Sequence, residues 1–339
     1  FRLLVDPNPP KPAPATDIGP SDVSRPMDPN YRNPYTEQWN GGYTWAITSN
    51  SAIEIEYVHV LGLHDAKSVV INPKDVNKGG ARNTDAPLTA AGLPLLGQVR
   101  MQEPIGRNRY DGMNVSYRKR MTRHFAINTS YVLSRALGYN GASASFGNGP
   151  TDLNNIFAAH DLGPVPGVDE KHRWVVSGIV DLPWGIKFAP IMQWASARPY
   201  TSLEGQNDTF GFGGGQGSTH TIVLNSDPTN LLATKSYTAA QLRSCLAANT
   251  CQQVATGNLR GQTFYQLDAR FSKQLKLGER MKLDMFFQAF DMTNRANFGS
   301  MFQTNIRSSI FAQPTGFVST SGVVVPHAFA GEFGARFSF

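Results

Sequence analysis

Four groups of residues in this sequence carry side chains able to do chemistry. His172, Arg173 and Trp174 stand in succession, and histidine titrates nearest neutral pH, so the cluster suits acid–base work or ligand contact. Cys245 and Cys251, with Leu246 to Thr250 between them, suit a small disulfide loop in an oxidising compartment, and their spacing is not that of a metal motif. The stretch 210–217 is glycine-rich, as phosphate-cradling loops are. Charges of both signs, at Glu54, Glu56, Arg118, Asp181, Lys187, Asp268, Arg270, Lys282, Asp284, Glu332 and Arg336, fall in stretches of alternating polarity. No Gly-x-Ser-x-Gly elbow occurs and the histidines are scattered, so no nucleophile is matched to a base, no cofactor is assigned, and the reading is non-enzymatic.

The elements that position these residues are hairpins. Runs with period-2 alternation, joined by very short turns, predict strand pairs over about 34–61, 108–135, 172–198 and 261–291, with a last strand over about 326–339. In the first, Trp39, Tyr43, Trp45 and Ile47 share one face and Gln38, Asn40 and Thr44 the other. In the last, Phe329, Phe333, Phe337 and Phe339 alternate with Glu332 and Arg336. Pro190 falls within a strand, where it removes a ladder donor, and predicts a bulge. The connections at 62–107, 136–171, 199–259 and 292–325 far exceed the usual length of about 4 to 6 residues. Short turns and long connections therefore alternate strictly. A soluble sandwich has no reason for that asymmetry, whereas a transmembrane barrel with short periplasmic turns and long extracellular loops does.

Composition agrees. Charged residues are 17%, against about 25% in soluble domains, and 32 glycines with 22 prolines argue against a helical bundle. Mean hydropathy of -0.30 and the lack of any run near about 18 apolar residues exclude spanning helices. Spanning strands stay open, because their lipid and lumen faces cancel in a hydropathy window. Net charge is +6, yet the densest basic run is only Arg118-Lys119-Arg120 with Arg123, which excludes a nucleic-acid stripe. The fold class expected is all-β: a transmembrane antiparallel up-and-down barrel with long extracellular loops.

This frame assigns the chemical residues duller roles. His172 sits at the external rim, Arg173 points to the lumen, and Trp174 joins Trp39, Trp45, Trp184, Trp194 and Tyr57 in the aromatic girdles. The eleven charges face the lumen, where they line a solute path or, the favoured reading, pair with one another and with a plug. The glycine run lacks the Lys-Ser/Thr ending of a phosphate loop and reads as external loop, while 237–254 carries a short helix stapled by its cysteines. Residues 1–33 read as a Pro-rich, strandless extracellular segment. A further strand at 1–5 or 296–303 would bring nine strands to ten; otherwise the odd number marks the tail of a larger barrel, since bacterial single-chain barrels are even-numbered.

Several stretches resemble a known family. NPYTEQWNGGYTWAITSNSAIEIEYVHVLG at 33–62, RYDGMNVSYRKRMTRHFAINTSYVLSRALG at 109–138, DEKHRWVVSGIVDLPWG at 169–185, ARPYT at 197–201 and the terminal FGARFSF are similar, in order and spacing, to the C-terminal barrel of Oar-like TonB-dependent receptors. The resemblance covers about 33–339 and implies the last nine or so strands of a barrel of about 22 strands with a plugged lumen. It implies an outer-membrane location, contact with outer-membrane lipid, and uptake of an unidentified solute energised by TonB through a plug. These upstream parts are not in this sequence. It also implies that Phe333, Phe337 and Phe339 form the terminal signal read by the barrel-assembly machinery, and an open fragment of this kind is expected to be unstable alone. The alternative is a passive porin-like or adhesive outer-membrane barrel without active transport.

Overall fold

The computed structural model describes residues 21–72, 74–75, 81–139, 162–205, 220–278, 281–318 and 329–339. The glycine run at 210–217 and the first twenty residues of the Pro-rich segment lie outside them.

The chain enters with β1 (Ser21–Met27), β2 (Tyr35–Thr48) and β3 (Ser51–Val70). The short β4 (Lys74–Asp75), β5 (Ala81–Arg82) and helix α1 (Asp85–Ala90) lead into β6 (Leu96–Thr122) and β7 (Phe125–Tyr139). β8 (Leu162–Pro164) precedes β9 (His172–Leu182) and β10 (Ile186–Ala195). The next connection holds β11 (Pro199–Tyr200), β12 (Ile222–Leu224), α2 (Ala239–Ala247), β13 (Cys251–Gln253) and β14 (Leu259–Arg260). β15 (Phe264–Lys276), β16 (Lys282–Phe290) and β17 (Ala330–Ser338) complete the chain.

Nine of these strands form one antiparallel meander in the order β17-β16-β15-β10-β9-β7-β6-β3-β2. Because side chains alternate along each strand, register fixes the faces. One continuous cross-strand row reads Tyr43, Ile55, Val115, Tyr131, Trp174, Trp194 and Tyr265. Another reads Phe125, Val180, Phe188, Phe271, Phe287 and Phe333. These rings are not buried within the chain: Tyr43 is 73% exposed and Phe333 71%. An apolar sheet face this bare needs a non-aqueous neighbour. The opposite face carries serine, asparagine, glutamine and the charged residues. Turns of a few residues join the strands at one end, and at one of them Trp184 takes a left-handed conformation (φ 64) beside Gly185 (φ 71).

Three expectations are corrected. The segment expected to be strandless contains β1, which runs parallel to β6 from Ser21 against Leu96 to Met27 against Gln102. Pro190 causes no bulge, since β10 runs against β9 from Phe188 at Val180 to Ile191 at Ser177 without a shift. The ring then falls across from Gly178, which has no side chain to collide with it. The alternative of a further strand at 296–303 is not realised. β3 and β6 also extend past the expected 61 and 108, because they stay paired up to Val70 and Arg100. Past the apolar band neither face meets a non-aqueous neighbour, so the alternation that marks a strand in sequence fades while the ladder persists.

In the meander the buried apolar residues are small, namely Val99, Ala136, Ala195, Ala269 and Ala289, whereas Ile222, Val223, Leu242, Cys251 and Ile306 are buried in the connections at the loop end.

Candidate functional site

Register places all eleven charged candidates on the polar face of the sheet. Arg118, Asp268 and Arg270 line one hollow of about 610 Å³ with Asn128, Ser177 and Ile191. Asp181 lies across from Lys187, and Asp284 across from Arg336. Four of these charges meet neutral groups. Glu56 accepts from Asn40 Nδ2 (3.2 Å), Asp284 from Gln274 Nε2 (2.7 Å), and Asp268 from Gln266 Nε2 (2.8 Å) and the Asp291 amide (2.8 Å). Arg270 rests 4.1 Å over the Phe286 ring. Glu54 faces Thr44 and Ser116, Glu332 faces Gln288, and Lys282 faces Ser338. The pairing expected among these charges is thus adjacency across the ladder, and the ion pairs within 4.0 Å among the described residues join other side chains. Phe333 and Phe337 stand on the apolar face against Phe287 and Leu283, and the Phe339 ring lies 6.1 Å from that of Phe337.

At the loop end of β9 the cluster read from sequence resolves into structural contacts. His172 Nδ1 lies 2.7 Å from the Tyr131 hydroxyl, with its ring between Tyr131 and Trp194. Trp174 Nε1 donates to Thr129 Oγ1 (2.8 Å). Just before them, Asp169 and Glu170 each clamp an arginine from the β10–β15 connection. Arg260 Nη1 donates to Asp169 Oδ2 (3.0 Å) and Arg198 Nε to Glu170 Oε1 (2.7 Å), while Arg173 Nη1 reaches Glu170 Oε2 (3.0 Å). Two carboxylates therefore tie β9 to the chain that leaves β10.

That chain folds into a cap. β11 pairs with β14 and β12 with β13, and α2 packs beneath through Leu242. Thr238 and Gln241 form a reciprocal capping box that starts α2. Cys245 and Cys251 are joined in a disulfide, with Cα atoms 5.4 Å apart. The β16–β17 connection docks on this unit: the Leu203 amide donates to Thr304 O (2.8 Å), and the Ile306 amide to Leu203 O (3.1 Å). Tyr200 stacks on Phe302 and Phe298 on Phe317. Gly261 permits a close backbone approach, because a Cβ there would lie 1.9 Å from Gly299 O. Reduction of the disulfide should remove about 2 kcal/mol of local stability for so short a loop. Hydrogen exchange should accelerate in α2 and β13 and stay unchanged in β6, β7 and β9.

One buried charge pair locks the two connections. Glu204 is fully buried (0% exposed). Arg307 Nε donates to its carbonyl and to Oε1, both at 3.1 Å, Nη2 also donates to Oε1 and to Tyr237 O (2.8 Å), and Nη1 donates to Lys235 O. Burial pushes the Glu204 carboxyl above the usual carboxylate range, and the Arg307 bonds act against that shift. Sequence reading passed over both residues, since each lies in a connection with no periodic pattern. The small and aromatic residues at 297–302 are the only local sign that this connection packs rather than floats. The assembly is held by backbone hydrogen bonds, stacked rings and this ion pair. It offers a braced, shape-stable surface standing over one end of a polar-lined sheet.

The sequence matches the family described as "Outer membrane beta barrel domain" over residues 2–323. Among solved structures it is similar to the outer membrane transporter YddB from Escherichia coli, at 12% identity, with 94% of this chain and 34% of that one covered and a TM-score of 0.45. It is similar as well to the FrpB iron transporter from Neisseria meningitidis (F3-3 variant), at 9% identity, 93% and 33% coverage and a TM-score of 0.46. A third is the ferric-catecholate import receptor Fiu from E. coli K12, at 9% identity, 91% and 28% coverage and a TM-score of 0.45. The chain spans about a third of the length of these structures. No curated protein matches.

Proposed function

The chain belongs to the outer membrane β-barrel domain family, and from that membership we propose that it is the C-terminal part of an Oar-like TonB-dependent receptor taking up a solute through the outer membrane. The apolar face is the lipid face, and the polar face, with its eleven charged residues, lines the path past a plug. The cap built on Glu204 and Arg307 supplies the external surface that meets the solute. The observation that carries this reading is the strict alternation of tight turns at one end with long connections at the other, two of them packed into a rigid cap. Passive diffusion gains nothing from a braced cap over its entrance. Selective binding does, because a preorganised surface orders less on meeting its ligand.

An antibody against the last residues through Phe339, used on separated outer membranes, tests it. A product at least twice 37.1 kDa that co-isolates with TonB is expected. A product of 37.1 kDa in that fraction, without TonB, would make it a small self-sufficient barrel and overturn the reading.

The face assignment makes its own prediction. Val115→Arg, in the apolar row, should cost about 2 to 4 kcal/mol if it lies at mid-bilayer, and Ser116→Arg, one residue on and facing the path, close to nothing. Denaturant unfolding of the native product in lipid vesicles measures both. Equal effects would reverse the faces.

A further inference from the structure

The lipid face carries one feature that neither uptake nor assembly uses. Towards the loop end, where the apolar band stops, lies a depression of about 470 Å³ lined by Tyr57, Met113, Leu133, Arg135, Lys171 and Arg260, with Asp111 and Asp169 at its edge. Register explains its two-part character. Tyr57, Met113 and Leu133 are cross-strand neighbours in one outward row, and the next row towards the loops is His59, Asp111 and Arg135. The floor is thus apolar and the upper wall cationic.

The charges do not cancel. Both carboxylates are already committed: Asp111 accepts from the Tyr57 hydroxyl (2.7 Å) and Arg109 Nε (2.6 Å), with His59 Nδ1 at 2.8 Å, while Asp169 accepts from the Ala136 amide (2.8 Å) and Arg260 (3.0 Å). The side chains of Arg135 and Lys171 are exposed and make no hydrogen bond or ion pair among the described residues. At the opposite end of the band the outward Lys119 is handled differently, resting 3.8 Å over the Phe125 ring and donating to Thr122 Oγ1 (3.2 Å). Two cations left with unused donors among the described residues, above a floor of Met113 and Leu133 where the apolar band stops, match a ligand with an anionic head and an apolar tail. The Trp39 ring lies tilted against those of Tyr57 and His59 at the margin, as rings at a membrane interface do.

We propose that this depression binds a phosphorylated lipid of the outer leaflet, its phosphate held between Arg135 and Lys171 and its first acyl carbons laid on Met113 and Leu133. Guanidinium and ammonium donors form charge-assisted bonds to phosphate oxygens, and the apolar floor confers the preference for a lipid over free phosphate. The inference needs only the outer-membrane location, so it stands or falls apart from energised uptake.

The native full-length product, reconstituted in phosphatidylcholine vesicles carrying either phosphorylated lipid A or the same lipid enzymatically dephosphorylated, supplies the test, with retained lipid counted by native mass spectrometry. The wild type should retain the phosphorylated form preferentially, and inorganic phosphate should not displace it. Arg135→Gln with Lys171→Gln should lower that preference roughly thirtyfold, given the contribution of each basic residue at a membrane surface. Arg135→Lys with Lys171→Arg should keep it. Equal retention of both lipids by the wild type would overturn the proposal, as would full displacement by inorganic phosphate or an unchanged preference in the glutamine variant. Should that variant fail to show heat-modifiable barrel mobility, the wild-type comparison of the two lipids decides alone.

Discussion

Removal of residues 337–339 should abolish assembly of the native product in the outer membrane. β17 meets β16 along a register that runs from Ala330 against Phe290 to Ser338 against Lys282, and the deletion removes Phe337 from its place across from Leu283. The larger effect is on recognition. An exposed terminal strand with rings at Phe333, Phe337 and Phe339 on one side offers an assembly factor both a backbone edge to pair with and side chains to read, the physics of strand addition. Membrane fractionation with heat-modifiable mobility measures the outcome. Wild-type amounts of folded barrel from the truncated chain would remove the terminal residues from any signalling role, and Phe339→Ala should show a partial loss in the same assay.

Arg307→Ala should release the cap without unfolding the sheet. It leaves the Glu204 carboxyl buried and stripped of its charged partner, a situation that costs about 3 to 5 kcal/mol. Removing both partners should cost less than removing Arg307 alone, because no orphan charge then remains. The pH dependence follows in sign. A carboxyl whose proton affinity is raised in the folded state stabilises that state most at low pH, and loses the contribution as pH rises through its raised folded value. With Arg307 gone, burial acts on Glu204 unopposed, so the cap of Arg307→Ala should recover on acidification. Limited proteolysis at the β10–β15 and β16–β17 connections, followed across pH, reads this directly. Resistance equal to wild type at neutral pH would show that the pair does not hold the cap.

The wall of the barrel is legible in the sequence because its information is local. Trp39, Tyr43 and Trp45 alternate with Gln38, Asn40 and Thr44 over one strand, and that alternation names both faces without reference to any other part of the chain. The limits of this reading have physical causes. β1 and the outer parts of β3 and β6 escaped it because a ladder outside the lipid needs no apolar period. Pro190 misled because the cost of its ring depends on what lies across the ladder, and Gly178 is on another strand. His172 attracted attention as a titratable residue and proved to be held by the Tyr131 hydroxyl and the flanking rings.

The rim shows the boundary most clearly. The DEKHRW and ARPYT stretches are both recognisable by eye, yet only the fold reveals that Glu170 of one grips Arg198 of the other. Glu204 and Arg307 lie 103 residues apart in connections without pattern. By itself the sequence determined the hairpin strands within the apolar band, their faces, the turns at one end and the membrane setting, because each is written in spacing that a single strand and its solvent can read. The tertiary structure alone decided which long connections would pack and which charges would lose water and so need partners. Desolvation depends on what the rest of the chain brings alongside, and no local spacing encodes that.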